Sequence, residues 1–204
     1  MVGLLLMKES FWLLAAICLC CVHMSEAKET VSPFESAKKN GLETTIVAGG
    51  CFWGVEYWIA KQPGVIDTRV GYAGGSLKGA RYESVRTGKT GHAESVQVLF
   101  DPKKISYETL LLYFFKIHDP TTLNQQGGDR GTQYRSTLFY SDDKQKEVAE
   151  KVRARVEKSG KWGKPLVTEI VPTGIFVEAE PEHQKYLKQN PGGYNCHFPR
   201  EIEF

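Results

Sequence analysis

The sequence predicts an α+β fold, a two-layer sandwich with a ferredoxin-like βαβ-type core and an irregular C-terminal tail. Three observations predict it. Short strand-like and helix-like segments alternate as β-α-β-β-α-β-α along the chain. The stretch Thr44 to Lys61, TTIVAGGCFWGVEYWIAK, reads as a strand, a Gly-Gly turn and a helix in direct succession. The stretch from Asn190 to Phe204 holds Pro191, Gly192, Gly193 and Pro199 and carries no periodic pattern. The 204 residues are 41% hydrophobic, enough for one ordinary domain over residues 43–204. A net charge of +2 is too balanced to point to nucleic acid or an anionic membrane.

Residues 1–27 read as a signal peptide. Lys8 supplies the positive start and Phe11 to Val22 an apolar run. Ser25 and Ala27 are small residues at the −3 and −1 positions of a cleavage site after Ala27. The run is shorter than the roughly 20 residues of a spanning helix, so an uncleaved membrane anchor is the alternative. Met7 is an alternative start. Cys18, Cys20 and Cys21 hint at lipid attachment, but Ile17 stands where a small residue would be expected. The expected protein is exported, periplasmic or secreted, with no stable membrane association after cleavage. Cleavage removes one lysine and two glutamates, moving the charge from +2 to +3. It also removes all three methionines and leaves Cys51 and Cys196 as the remaining cysteines. Two cysteines in an exported chain are compatible with one structural disulfide.

Residues 28–42 form a polar lead-in. Thr44 to Ala48 is β-branched and apolar, as a buried strand requires. Gly49 and Gly50 permit a tight turn, and the helix from Phe52 stops at Gln62-Pro63-Gly64. Val65 to Tyr72 alternates as a strand, with Ile66, Thr68, Val70 and Tyr72 on one face. Gly71 to Gly79 is a glycine-rich loop, and Tyr82 to Arg86 forms one helical turn. Glu94 to Phe100 is a strand whose period places Glu94 on the face of Val96, Val98 and Phe100. Ser106 caps a buried helix reaching His118, ended by Asp119-Pro120. Thr121 to Gln133 is a long polar loop of the kind that carries function. Ser136 to Tyr140 is a strand, and Ser141 caps an amphipathic helix with Val148, Val152 and Val156 at i+4 spacing. Leu166 to Val171 and Ile175 to Val177 are further strands, and Pro181 to Leu187 is a short helix. The tail with Cys196 is expected to be irregular and mobile.

Two residues bear on chemistry. Cys51 sits at a helix N-terminus, where free N–H groups and the dipole favour a thiolate. An inert buried cysteine fits the same position. Glu94, on an apolar face, has its pKa raised by desolvation and becomes a proton donor near neutral pH. A strand-end carboxylate paired with arginine is the structural alternative. Other motifs fail. His92-Ala93-Glu94 lacks the P-C-x-x-C of a zinc deaminase. Gly88-Lys89-Thr90 lacks the first glycine of a P-loop, since position 83 is Glu83. Cys196-His197 lacks the second pair of a zinc site. A Cys-His hydrolase, with His92 or His183 as base, remains open.

Gly49-Gly50-Cys51-Phe52-Trp53-Gly54 resembles the GCFWG signature of the A-type peptide methionine sulfoxide reductases, the family specific for the S epimer. GYAGG at Gly71 to Gly75, Tyr82, GHAE at Gly91 to Glu94, HDPTTLNQQGGDRGTQYRS at His118 to Ser136, AEPEHQKYL at Ala179 to Leu187 and NPGGYNC at Asn190 to Cys196 follow in the family's order. The resemblance covers roughly Glu43 to Cys196. Lys89 and Pro181 depart from acidic positions common in the family. A recycling cysteine beyond the match to Cys196, found in some members, is absent.

The resemblance implies reduction of methionine-S-sulfoxide, free or in oxidised proteins, as repair of oxidative damage. Cys51 is the implied nucleophile and Glu94 the proton donor. Tyr82 and Tyr134 would hydrogen-bond the departing oxygen, and Phe52 and Trp53 would hold the S-methyl group. Asp129 is assigned a weaker binding role. Cys51 would become a sulfenic acid, and Cys196 would resolve it to a Cys51–Cys196 disulfide for a thioredoxin-like partner to reduce. No metal or organic cofactor is implied.

Overall fold

The computed structural model describes residues 32–204. The expected signal peptide, with Cys18, Cys20, Cys21 and the three methionines, lies outside the described residues. The chain after the lead-in forms β1 (Glu43–Gly49), α1 (Phe52–Ile59), β2 (Val65–Ala73), α2 (Tyr82–Val85), β3 (Ala93–Phe100) and α3 (Tyr107–Ile117). A small hairpin, β4 (Gln125–Gln126) with β5 (Asp129–Arg130), follows. Then come β6 (Ser136–Tyr140), α4 (Asp143–Lys158), β7 (Glu169–Pro172), β8 (Phe176–Glu178) and α5 (Tyr186–Gln189).

The main sheet has the order β7-β6-β1-β3-β2-β8. β1 and β2 are both antiparallel to β3, which lies between them. They are thus parallel to each other across the α1 crossover. β3 and β6 likewise flank β1, both antiparallel to it, across α3. These two interleaved split βαβ units are the expected ferredoxin-like core. β7 adds a parallel strand to β6 after α4, and β8 adds an antiparallel strand to β2.

Strand alternation divides the core in two. Val47, Val70, Tyr72, Val96, Val98, Phe100 and Leu138 point to the face covered by Val55, Ile59, Leu110, Phe114, Phe115, Val152 and Val156 of α1, α3 and α4. Ile46, Ala48, Ala73, Ala93 and Phe139 form a smaller cluster with Val171 and Phe176. Each large side chain taken fully out of water contributes about 1.5–3 kcal/mol. The major layer is therefore the one that fixes the helices on the sheet.

Four local expectations are corrected. Ile66 is not on the apolar face: the β2–β3 register skips it between Val65 and Asp67, and this bulge turns it outward, 51% exposed. The α4 cap is Asp142 rather than Ser141, its carboxylate accepting the Gln145 N–H at 2.9 Å. The Pro181–Leu187 helix is broken into a 3-10 turn (Pro181–His183) and α5 by Lys185 at φ 53°. That left-handed residue is over-determined. Its N–H donates to Glu56 Oε2 at 2.8 Å, and its ammonium meets Glu56, Asp67 and Thr68. Glu56 is buried, so these contacts also supply its partners. Finally, the lead-in is not uniformly loose. It contains a 3-10 turn (Ala37–Asn40) with Ala37 buried, and Phe34 lies against the Arg69 guanidinium at 4.5 Å.

Candidate active site

Three glycines let distant segments close around Cys51. A Cβ on Gly49 would stand 2.8 Å from the Phe114 ring of α3. One on Gly50, already at φ 104°, would stand 2.5 Å from Gln126 of the hairpin. One on Gly54 would stand 2.4 Å from His197 Nδ1 and 2.6 Å from Asn195 Oδ1 of the tail. The strand end, the hairpin and the tail therefore meet at the first turn of α1 because these positions carry no side chain.

The result is a cavity of about 120 Å³ lined by Cys51, Phe52, Trp53, Tyr82, Glu94, Asp129, Tyr134 and Tyr194. Every site residue expected from the sequence lines it except Cys196, which lies beside it. Tyr194, two residues before Cys196, was missed. Its signal was an aromatic side chain within the Gly- and Pro-rich tail. Its hydroxyl donates to Asp129 Oδ1 at 3.1 Å.

Glu94 is on the helix-facing side of β3, as its period requires, and only 2% exposed. Its Oε2 accepts the Phe52 N–H, a free donor of the α1 N-terminus, at 3.1 Å. Burial nevertheless dominates and pushes its carboxyl up to about 8, with Asp129 adding to the rise and the Phe52 bond opposing it. Cys51 departs from the thiolate expected at a helix N-terminus. Burial and the neighbouring Glu94 push its thiol well above the ordinary range, and its bond from the Trp53 N–H only partly offsets this. The dipole of an eight-residue helix loses to desolvation here. Burial and the nearby Glu94 also raise Tyr82 and Tyr134, which stay phenols. At neutral pH the Cys51 thiol, the Glu94 carboxylic acid and the Tyr82 and Tyr134 phenols thus all carry protons, with Asp129 and Tyr194 completing the polar part of the wall.

An aromatic shelf backs this wall. Trp53 stacks on Tyr186 with centroids 3.9 Å apart, and its Nε1–H donates to His183 Nδ1 at 3.3 Å. Tyr82 lies 4.6 Å from the His183 ring. Glu180 holds the Tyr82 end of the shelf, accepting the Tyr82 N–H at 2.9 Å and the buried Tyr72 hydroxyl at 2.8 Å. Sequence reading gave Glu180 and Tyr186 no role and offered His183 only as a hydrolase base, because each acts on residues far from its own segment.

Cys51 and Cys196 are both free thiols. Cys196 Sγ is 3.5 Å from Asp129 Oδ2 and 3.3 Å from His197 Nδ1. The tail is irregular as expected, yet docked at His197. That ring is 2% exposed, with Nε2 at 2.7 Å from the Gly49 carbonyl, and the Trp58 indole donates to the His197 carbonyl at 2.8 Å. The hydrolase alternative finds no base. His92 Nδ1 accepts the Gly75 N–H and its Nε2 faces the Leu77 carbonyl, so both nitrogens hold a loop. His183 spends Nδ1 on Trp53.

The family model described as peptide methionine sulfoxide reductase matches residues 43–203. A peptide methionine sulfoxide reductase MsrA of Mycobacterium ulcerans is 56% identical over 158 residues, covering 78% of this chain and 90% of that protein. Mxr1 from Saccharomyces cerevisiae in its reduced form superposes with a TM-score of 0.75 at 41% identity, covering 79% of this chain and 94% of that one. Mxr1 in complex with Trx2 matches with a TM-score of 0.57 at 28% identity, covering 85% and 97%.

Proposed function

Because the chain belongs to the peptide methionine sulfoxide reductase family and is therefore an oxidoreductase, we propose that it reduces methionine-S-sulfoxide, free or in oxidised proteins, through a Cys51 sulfenic acid and a Cys51–Cys196 disulfide. The observation that carries this reading is the cavity in which Cys51 shares its walls with a protonated Glu94 and the Tyr82 and Tyr134 phenols. Proton donors gathered around a sulfur nucleophile suit an oxygen that gains negative charge as it leaves.

The balance closes with a resting thiol. The sulfoxide oxygen docks on the two phenols and Glu94, with the S-methyl group against Phe52 and Trp53. Glu94 gives its proton to that oxygen. The carboxylate so formed takes the Cys51 proton, and the thiolate attacks the sulfoxide sulfur. The hydroxyl then passes from the substrate sulfur to the Cys51 sulfur as the S–S bond just formed breaks with its pair on the substrate. Cys51 is thus oxidised to the sulfenic acid, and methionine departs reduced. Cys196 then displaces that oxygen as water. A thioredoxin-like dithiol reduces the disulfide by exchange, and the Trx2 complex of the related yeast protein supports that choice. With no third cysteine in residues 28–204, the partner attacks the Cys51–Cys196 pair directly.

The test is a single-turnover assay on each sulfoxide epimer, with free thiols counted before and after. Cys51→Ser should make no methionine. Cys196→Ser should make about one methionine per enzyme and then stall. Normal thioredoxin-dependent turnover by Cys196→Ser would end the resolving role. Export after cleavage at Ala27 is part of the same reading. Mass measurement of the secreted or periplasmic protein checks it, and an intact residue 1–27 segment would overturn it.

A further inference from the structure

We propose that His197 is the general base of the resolving step, taking the proton of Cys196 through Nδ1 as Cys196 attacks oxidised Cys51. The proposal rests on the Cys51–Cys196 chemistry above and adds the group that makes the second thiol nucleophilic.

The argument begins with a tautomer. His197 Nε2 lies 2.7 Å from the Gly49 carbonyl oxygen, which can only accept. Nε2 must therefore carry the proton in the neutral ring. Nδ1 is then a bare lone pair, and it faces Cys196 Sγ at 3.3 Å. The ring is 2% exposed, and burial holds it down to about 4, so in ordinary buffer it is neutral and Nδ1 is free of a proton. Cys196 needs such a partner, because burial and Asp129 hold its thiol up to about 12.

The placement is built rather than incidental. Gly49 is two residues before Cys51, so the bond that fixes the tautomer also ties the resolving segment to the strand end bearing the nucleophile. Trp58 of α1 holds the His197 carbonyl, and Gly54 leaves the space that Nδ1 occupies. Asp129 has a distinct part. Its Oδ2 is 3.5 Å from the same sulfur, and its charge favours the imidazolium formed when Nδ1 takes the proton.

The step balances. An electron pair of the Cys196 sulfur forms the S–S bond to Cys51. The S–O bond of the sulfenic acid breaks, its pair leaving with oxygen. The proton passes from Cys196 to Nδ1 and on to the departing hydroxide, giving one water. The Cys51 sulfur is reduced and the Cys196 sulfur oxidised.

The experiment uses His197→Gln, whose amide reaches the Nε2 position and keeps a donor for the Gly49 carbonyl while placing no base against Cys196. Asp129→Asn is the companion variant. Rapid-quench measurement follows methionine release and thiol loss separately in one turnover. General-base assistance is typically worth 10²–10⁴-fold. In His197→Gln the ratio of the thiol-loss rate to the methionine-release rate should fall by about 10² or more. An unchanged ratio overturns the proposal. So does a loss of that size in Asp129→Asn alone, which would make Asp129 the base. Circular dichroism and the methionine burst report whether each variant is folded. Wild-type enzyme that releases methionine without losing two thiols would instead sink the disulfide reading itself.

Discussion

Glu94→Gln isolates the electrostatics of the cavity. The side chain is buried and accepts the Phe52 N–H. Glutamine keeps the length and an acceptor oxygen but neither ionises nor gives up a proton. Burial holds the Glu94 carboxyl at about 8 against an ordinary 4.5. At about 1.4 kcal/mol per tenfold, that rise corresponds to roughly 5 kcal/mol between the two protonation states. Between pH 4.5 and 8 the native chain keeps this proton and the unfolded chain has lost it. The contribution of Glu94 to stability is therefore full below pH 4.5 and is lost as pH rises through 8. Wild type should lose up to roughly 5 kcal/mol relative to Glu94→Gln over that window. Denaturant unfolding of both proteins at half-unit pH intervals reads the difference. The buried His118 and His197, held down to about 3 and about 4, titrate in both proteins and cancel. In a single turnover the variant should form methionine about 10²–10⁴-fold more slowly. A stability difference that is flat with pH, with unchanged methionine formation, would refute the reasoning.

Two further substitutions probe how the site is held. Gly54→Ala in an ordinary helix interior would add about 1 kcal/mol of stability. Here the sign should reverse, because the new Cβ meets His197 and Asn195 and displaces the tail. Thermal unfolding should fall by a few degrees and disulfide formation should slow; a rise in Tm would refute it. Ser136→Ala strips a partner from a fully buried ring. His118 Nδ1 donates to the Phe114 carbonyl at 2.8 Å, so Nε2 accepts from the Ser136 hydroxyl at 2.8 Å, which also meets Thr168 at 2.8 Å. The cost should be about 1–3 kcal/mol, read by denaturant unfolding, with no change in the methionine burst.

Much of the fold was legible because it is written locally. Alternation in Glu94 to Phe100 reported the face on which Glu94 lies, and Gly-Gly before Cys51 reported a strand handing over to a helix. Where local signals competed, the outcome needed the neighbours. Ser141 read as the α4 cap, but the chain path gives that place to Asp142. Pro181 to Leu187 had helical composition, but buried Glu56 drew the Lys185 N–H into a left-handed turn. Glu180, His183, Tyr186 and Tyr194 act on residues tens of positions away, so the motifs that contain them did not show these contacts.

The sequence by itself determined which residue types meet in this protein: a cysteine at a helix start, a carboxyl on an apolar strand face, and a second cysteine in a Gly- and Pro-rich tail. Only the tertiary structure decided their charge states and pairings. A helix N-terminus favours a thiolate by a fixed local geometry, whereas desolvation depends on everything packed around the sulfur, and at Cys51 burial wins. Cys196-His197 likewise read as an incomplete zinc motif. Its meaning changed when the Gly49 carbonyl, far away in sequence, took the Nε2 proton and left Nδ1 free to face the thiol.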